Sequence, residues 1–246
     1  MLGEDALKKI QQSFVCVVGV GAVGSYATEA LTRAGVGRLR LMDFDVVKPS
    51  NLNRQLFALW ETMGRKKHEI AAERVKSISP ECEVEALDVF VHADTVHRVF
   101  EPNSEGRKPD IVIDAIDSVN PKIELLSALM QSQIPMISSM GAALRTDPTM
   151  IEIGPLSDVT HCPLAATIRK HLRRRGVSVD FPCVFSREPV RMKPPRSIMP
   201  VEESEENFLP KGRKRCTMGS LPTITGIFGL VIANAVLLQL AEHKEF

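Results

Sequence analysis

The sequence predicts an α/β fold, a mostly parallel sheet with helices on both faces, plus a smaller C-terminal part. Three observations lead there. Short apolar runs alternate with helix-competent stretches through residues 1–140. The runs are apolar at consecutive positions, as strands covered on both faces are, whereas a sheet open to water on one side would alternate. The first run ends in Gly19-Val20-Gly21-Ala22-Val23-Gly24, a glycine loop set between a strand and a helix.

Phe14–Val18 is the first expected strand, and 26–33 is the helix that follows its loop. Gly35 and Gly37 stop that helix, and Arg38–Met42 forms a second strand ending against Asp43. A helix over 66–77 draws an inner face from Ile70, Val75 and Ile78, and a third strand is expected over 83–89. After a loop at 102–109, the Ile-Val-Ile core of 110–114 makes another buried strand, with Pro121 opening the next helix. Residues 135–139 repeat the pattern, and the right-handed crossover rule leaves few ways to connect these strands. Past Gly141 a strand is expected over 150–154, a strongly basic helix over 164–175, and a mobile loop over 187–214, where Pro, Glu, Lys and Arg dominate. The whole of 1–246 is expected to be one domain, with a nucleotide-binding core at 1–140 and a substrate-facing part at 141–246.

With 246 residues, 44% hydrophobic and 25% charged, and a net charge of +1, the chain has an ordinary globular composition, so overall charge names no partner. Cys16, Cys82, Cys162, Cys183 and Cys216 are widely spaced, odd in number and free of Cys-x-x-Cys pairs, which suggests neither a disulfide framework nor a paired-cysteine zinc site. A reducing, cytoplasmic setting is expected, with an organelle form that has lost a presequence left open; the first ten residues lack the apolar run of a secretory signal. Residues 221–241 are apolar enough to raise a membrane span. Pro222, Thr223, Thr225, Asn234, Gln239 and two glycines interrupt them, so a buried core helix without membrane association is expected.

Gly19-x-Gly21-x-x-Gly24 lies where glycine lets backbone amides approach phosphates and a helix N-terminus favours their charge. Asp43 follows about 20 residues on, where a carboxylate would hold ribose hydroxyls. Alone, this Rossmann-like fingerprint fits an NAD- or FAD-dependent enzyme as well as any other nucleotide enzyme.

Later segments narrow the choice. Asp43-Phe44-Asp45, then Ser50-Asn51-Leu52-Asn53-Arg54-Gln55, then Lys67, then Asp114-Ala115-Ile116-Asp117-Ser118 resemble in order and spacing the ATP site of the ubiquitin-activating-enzyme-like, ThiF-type adenylation superfamily. Taken singly, Asn51 and Asn53 read as turn residues, Arg54 and Lys67 as solvated charges, and Asp117 as a helix cap. The resemblance implies that Gly19, Gly21 and Gly24 cradle the nucleotide and Asp43 takes the ribose. Asn51 and Arg54 then take phosphates, Lys67 the β/γ region and Asp117 the metal, with Asp45 and Gln55 completing the set. Arg54, Lys67 and Asp117 are the catalytic candidates. An adenylating site must neutralise ATP, hold Mg2+ and aim a carboxylate at the α-phosphate as pyrophosphate leaves.

Within that superfamily, Gly3-Glu4-Asp5-Ala6-Leu7, Pro121-Lys122, Met140-Gly141-Ala142, Asp147-Pro148-Thr149, Pro163-Leu164-Ala165 and Cys183-Val184-Phe185-Ser186 look like the tRNA threonylcarbamoyladenosine dehydratase family, across nearly the whole chain. The resemblance implies ATP-dependent activation of the carboxylate on a threonylcarbamoyl-modified adenosine of tRNA, then ring closure within the substrate and net loss of water. It also implies a homodimer, and leaves a cysteine desulfurase or sulfur-relay protein open as a further partner. The family carries an arginine-containing segment ahead of the stretch that begins here at Leu2-Gly3, and related enzymes use an arginine of the dimer mate at the nucleotide; that contact stays open. Ala22 stands where a glycine is commoner.

Arg169, Lys170, Arg173, Arg174 and Arg175 concentrate charge on the basic helix, as Lys211, Arg213, Lys214 and Arg215 do further on. tRNA binding is the reading favoured over a merely solvated face. Cys162 and Cys183 are expected as buried thiols rather than thioester formers, and His161 and His171 lack metal-site spacing. The rival readings are an adenylyltransferase acting on the C-terminus of a sulfur-carrier or ubiquitin-like protein, an NAD-linked oxidoreductase, and a non-catalytic tRNA-binding scaffold.

Overall fold

The computed structural model describes residues 2–190 and 218–242. From residue 191 on, the loop expected over 187–214 lies outside the described residues, as does the basic run at 211–215.

The sheet grows outward from β1 (Phe14–Val18), buried at every position because both of its faces meet helices. On one side β2 (Arg38–Met42) pairs with it in parallel, Val18 opposite Met42, and β3 (Glu83–Leu87) extends that side. On the other side come β4 (Ile111–Asp114), with Val18 opposite Asp114, then β5 (Met136–Ser139) and β7 (Pro182–Ser186), all parallel. β6 (Ile151–Pro155) closes that edge antiparallel to β7. The order is therefore β3-β2-β1-β4-β5-β7-β6. Because the chain leaves β1 in one direction and later returns to β4 on the opposite flank, a crevice opens at the carboxyl ends of β1 and β4, the place where open α/β sheets take ligands.

The two faces of the sheet carry two cores, split by the twofold alternation of the strands. Val15, Val17, Leu39, Leu41, Ile111 and Ile113 face α2 (Gly24–Arg33), α3 (Lys67–Ile78) and α6 (Pro222–Glu242). Cys16, Val18, Met42 and Val112 face α4 (Val119–Ser132) and α5 (Pro163–Arg174). Residues 221–241 form α6, which is long and apolar enough by length and composition alone to cross a membrane. In this fold it lies on α2 and buries Ile224, Phe228, Ile232 and Val236. Two glycines let it in: a Cβ at Gly229 would stand 2.4 Å from the Val23 carbonyl oxygen, and one at Gly226 would stand 3.1 Å from the Tyr26 ring.

The expected elements 26–33, 83–89, 110–114, 135–139, 150–154 and 164–175 appear with ends shifted by up to two residues. Two elements were not expected. The helix α1 (Glu4–Gln12) buries Ile10 and packs on α6, a partner far along the chain. β7 is a three-residue apolar core between Pro182 and Ser186, and its place is set by its pairing with β5 and β6 rather than by local pattern.

Candidate nucleotide and substrate site

The glycine loop turns directly off β1. Gly19 has φ +90 and donates its N–H to the Met42 carbonyl at 2.8 Å. A Cβ there would meet the Ala115 carbonyl oxygen at 2.9 Å, so the loop lies against the exit of β4. At Gly24 a Cβ would fall 1.8 Å from the Gly19 carbonyl oxygen, backbone on backbone. Gly21 is different: its nearest neighbour would be the Gln55 amide nitrogen at 3.6 Å, which leaves room beside it. No side chain caps the N-terminus of α2, whose positive end favours an anion, although the Ser25 N–H is already bonded to the Gly21 carbonyl at 3.0 Å.

Asp43, just past β2, braces this loop. Its Oδ2 accepts the Val20 N–H at 2.9 Å and its Oδ1 the Asp45 N–H at 2.9 Å, with lone pairs left for further donors. Burial pushes the Asp43 carboxyl above its ordinary range, opposed by Lys67 and these amides. Lys67, the first residue of α3, is buried with Nζ 3.2 Å from Asp45 Oδ2. His68 beside it is buried too, donating from Nδ1 to the Asp43 carbonyl at 2.9 Å. Sequence reasoning missed His68, and a lone histidine at a helix start carries no signal that would find it.

The turn 50–55 forms the facing wall. Asn51 is buried, its Oδ1 accepting the Lys48 N–H at 3.0 Å, and Leu56 donates its N–H to Ser25 Oγ at 3.1 Å, which ties the turn to α2. Arg54 donates from Nη1 to the Ser50 carbonyl at 2.7 Å and to Asn53 Oδ1 at 2.8 Å, so its guanidinium rests on its own turn. Asn53 Nδ2 in turn reaches the Ser220 carbonyl at 3.2 Å, just ahead of α6. Asp117 stands exposed on the turn from β4 to α4, accepting from Ser118 Oγ at 3.1 Å.

The structure thus gathers Gly19, Gly21, Gly24, Asp43, Asp45, Gln55, Lys67 and Asp117 along one edge of the sheet, with Asn51 and Arg54 on the adjoining turn. The four cations of α5 and Arg175 just past its end divide. Arg169 donates to the carbonyls of Leu156 (3.0 Å) and Val159 (2.6 Å), and Arg175 pairs with Glu124 at 2.5 Å. Lys170, Arg173 and Arg174 are exposed, at the one-turn spacing that puts them on one face. The described cysteines are all buried; burial pushes the Cys183 thiol far up, and Cys162 Sγ accepts the Ala165 N–H at 3.4 Å.

A ThiF family pattern matches residues 1–246. The tRNA threonylcarbamoyladenosine dehydratase of Bacillus subtilis is 37% identical over 249 aligned residues, covering 99% of this chain and 93% of the relative. The Escherichia coli dehydratase solved with ATP superposes with a TM-score of 0.80 at 34% identity, covering 97% of this chain and 89% of that one. Its complex with AMP superposes at 0.81 and 35% identity, covering 97% and 90%. The molybdopterin-synthase adenylyltransferase of Salmonella typhimurium is 34% identical over only 59% of this chain and 54% of its own length. The family pattern over residues 1–246 and the 37% identity over 99% of the chain agree: the chain belongs to the ThiF family and, within it, to the tRNA threonylcarbamoyladenosine dehydratases.

Proposed function

We propose that the chain is an ATP-dependent tRNA threonylcarbamoyladenosine dehydratase. In this reading the threonyl carboxylate attacks the α-phosphorus of ATP and pyrophosphate leaves. A nucleophilic atom of the substrate's own carbamoyl group then attacks the acyl carbon, AMP departs with the carboxylate oxygen, and the ring closes with net loss of water. Because the nucleophile is already tethered to the acyl group, no protein nucleophile is required. That fits a chain whose described cysteines are buried.

The observation that carries the reading is the buried Lys67, held 3.2 Å from Asp45 at the same edge as the glycine loop, a fixed cation where a polyphosphate would lie. Arg54 would leave Ser50 and Asn53 to add a second. Among the described residues no group of three or more His, Cys, Asp or Glu could hold a metal. Mg2+ would bind through Asp117 together with phosphate oxygens, the usual arrangement for a nucleotide-borne Mg2+. Bound there, it would neutralise charge on the phosphates as pyrophosphate departs.

The tRNA would meet Lys170, Arg173 and Arg174, the exposed cations of α5. A second copy of the chain would cover the outer stripe of α6, where Leu230 and Leu238 are 49% and 40% exposed. A cysteine desulfurase or sulfur-relay partner rests on family resemblance alone.

The test is AMP and pyrophosphate release from ATP and Mg2+ with threonylcarbamoyl-modified tRNA, unmodified tRNA or none, with mass analysis of the nucleoside. Release that depends on modified tRNA, and a nucleoside lighter by one water, is the expected outcome. A preference for a small carrier protein would replace the reading with the adenylyltransferase, and tight NAD binding without ATP binding would replace it with an oxidoreductase.

A further inference from the structure

Beneath the turn that carries Asp117 lies an ion pair that solvent does not reach. Lys122, in the first turns of α4, and Asp114, the last residue of β4, are both fully buried, with Nζ 2.7 Å from Oδ2. Lys122 Nζ also donates to the Ile116 carbonyl at 2.8 Å, and Asp114 Oδ1 accepts the Ile116 N–H at 3.1 Å. Ser138, on β5, donates from Oγ to Asp114 Oδ2 at 2.6 Å.

The pair therefore grips both backbone groups of one residue, and the next residue is Asp117. Burying a lysine and a carboxylate costs much of what their attraction returns, and apolar side chains of similar volume would fill the space as well. What an apolar pair would not do is bond the Ile116 amide and carbonyl at once. Neither charge reaches solvent, and both bond Ile116.

We propose that Lys122 and Asp114 are positioning residues: by clamping Ile116 they hold the Asp117 carboxylate in the orientation that a nucleotide-borne divalent cation requires. The proposal rests on the reading of Asp117 as the metal ligand, and its test separates the two. Lys122→Met, Lys122→Arg, Ser138→Ala and Asp117→Asn would each be made in the full chain. ATP affinity would be measured by calorimetry as Mg2+ is varied, and backbone hydrogen exchange followed over 115–117.

In Lys122→Met, the Mg2+ needed for half-maximal ATP binding is expected to rise by about tenfold or more, the effect of removing a partner one step behind a metal ligand. Exchange over 115–117 should quicken, ATP affinity without Mg2+ should hold, and Lys122→Arg should recover part of the loss. A folded Lys122→Met protein with unchanged Mg2+ requirement and unchanged exchange overturns the proposal. If Lys122→Met does not fold, Ser138→Ala should shift both readouts the same way by less, and no shift there overturns it. If Asp117→Asn leaves the Mg2+ requirement unchanged while Lys122→Met still quickens exchange, the metal half of the proposal falls and the clamp stands.

Discussion

Lys67 is tied to Asp45 twice, Nζ to Oδ2 at 3.2 Å and backbone N–H to the Asp45 carbonyl at 3.0 Å. The second tie does not depend on the side chain, so the start of α3 stays in place when the charge is removed. Lys67→Met is expected to fold with a modest loss of stability and to lower kcat/KM for AMP formation by about 100-fold or more, the scale of losing one preorganised charge-stabilising donor. Steady-state kinetics beside thermal melting would check it; an active variant would remove Lys67 from the phosphate site.

The glycines of the loop should separate by role. Gly24→Ala pushes a methyl into the Gly19 carbonyl, 1.8 Å away, and is expected to cost about 3 kcal/mol or more, through overpacking that backbone cannot relieve. Gly21→Ala meets the end of a flexible glutamine at 3.6 Å, so its melting temperature should barely move while its ATP affinity falls. Paired melts with and without ATP would tell them apart.

Glu29 links α2 to α3. Burial alone would raise its carboxyl, but hydrogen bonds from Arg74 and Arg33 bring it below its ordinary 4.5. A depressed carboxyl stabilises the fold fully above its unfolded-state pKa, and that contribution is lost as pH falls through the folded value. Glu29→Gln should therefore be less stable than the parent by about 0.5–1 kcal/mol near neutrality, discounted for partly exposed arginines, with the gap closing in acid. Denaturant melts across that pH range would test it.

Replacing Lys170, Arg173 and Arg174 with serine is expected to weaken tRNA binding and reduce the slope of log affinity against log salt by about one for each lost phosphate contact. Arg169→Gln should instead lower stability, because its guanidinium serves the Leu156 and Val159 carbonyls. A salt titration of binding, run beside melts, discriminates the two.

How much could be read in advance follows from where the information resides. β1 and β2 came out residue for residue, because each is a short run bounded by glycine or aspartate and buried whole or nearly so. Asp43 was placed by its spacing from the glycine loop at the end of β2, and Lys67 and Asp117 by the resemblance of their segments to a known ATP site. Partners distant in sequence were not legible. That Arg169 and Arg175 are occupied depends on Val159 and Glu124, and that Arg54 rests on its own turn depends on how residues 50–53 curl. The division expected near residue 140 marks a change of pattern in the chain, while the sheet runs through it, β7 pairing directly with β5.

Gly229 lies against the Val23 carbonyl, so a helix far along the chain backs the phosphate loop. During synthesis the loop would leave the ribosome with its rear wall still missing until α6 had emerged and docked. Nascent chains ending short of residue 222 should therefore fail to retain ATP even with strands β1 to β7 complete, because nucleotide capture would wait for α6.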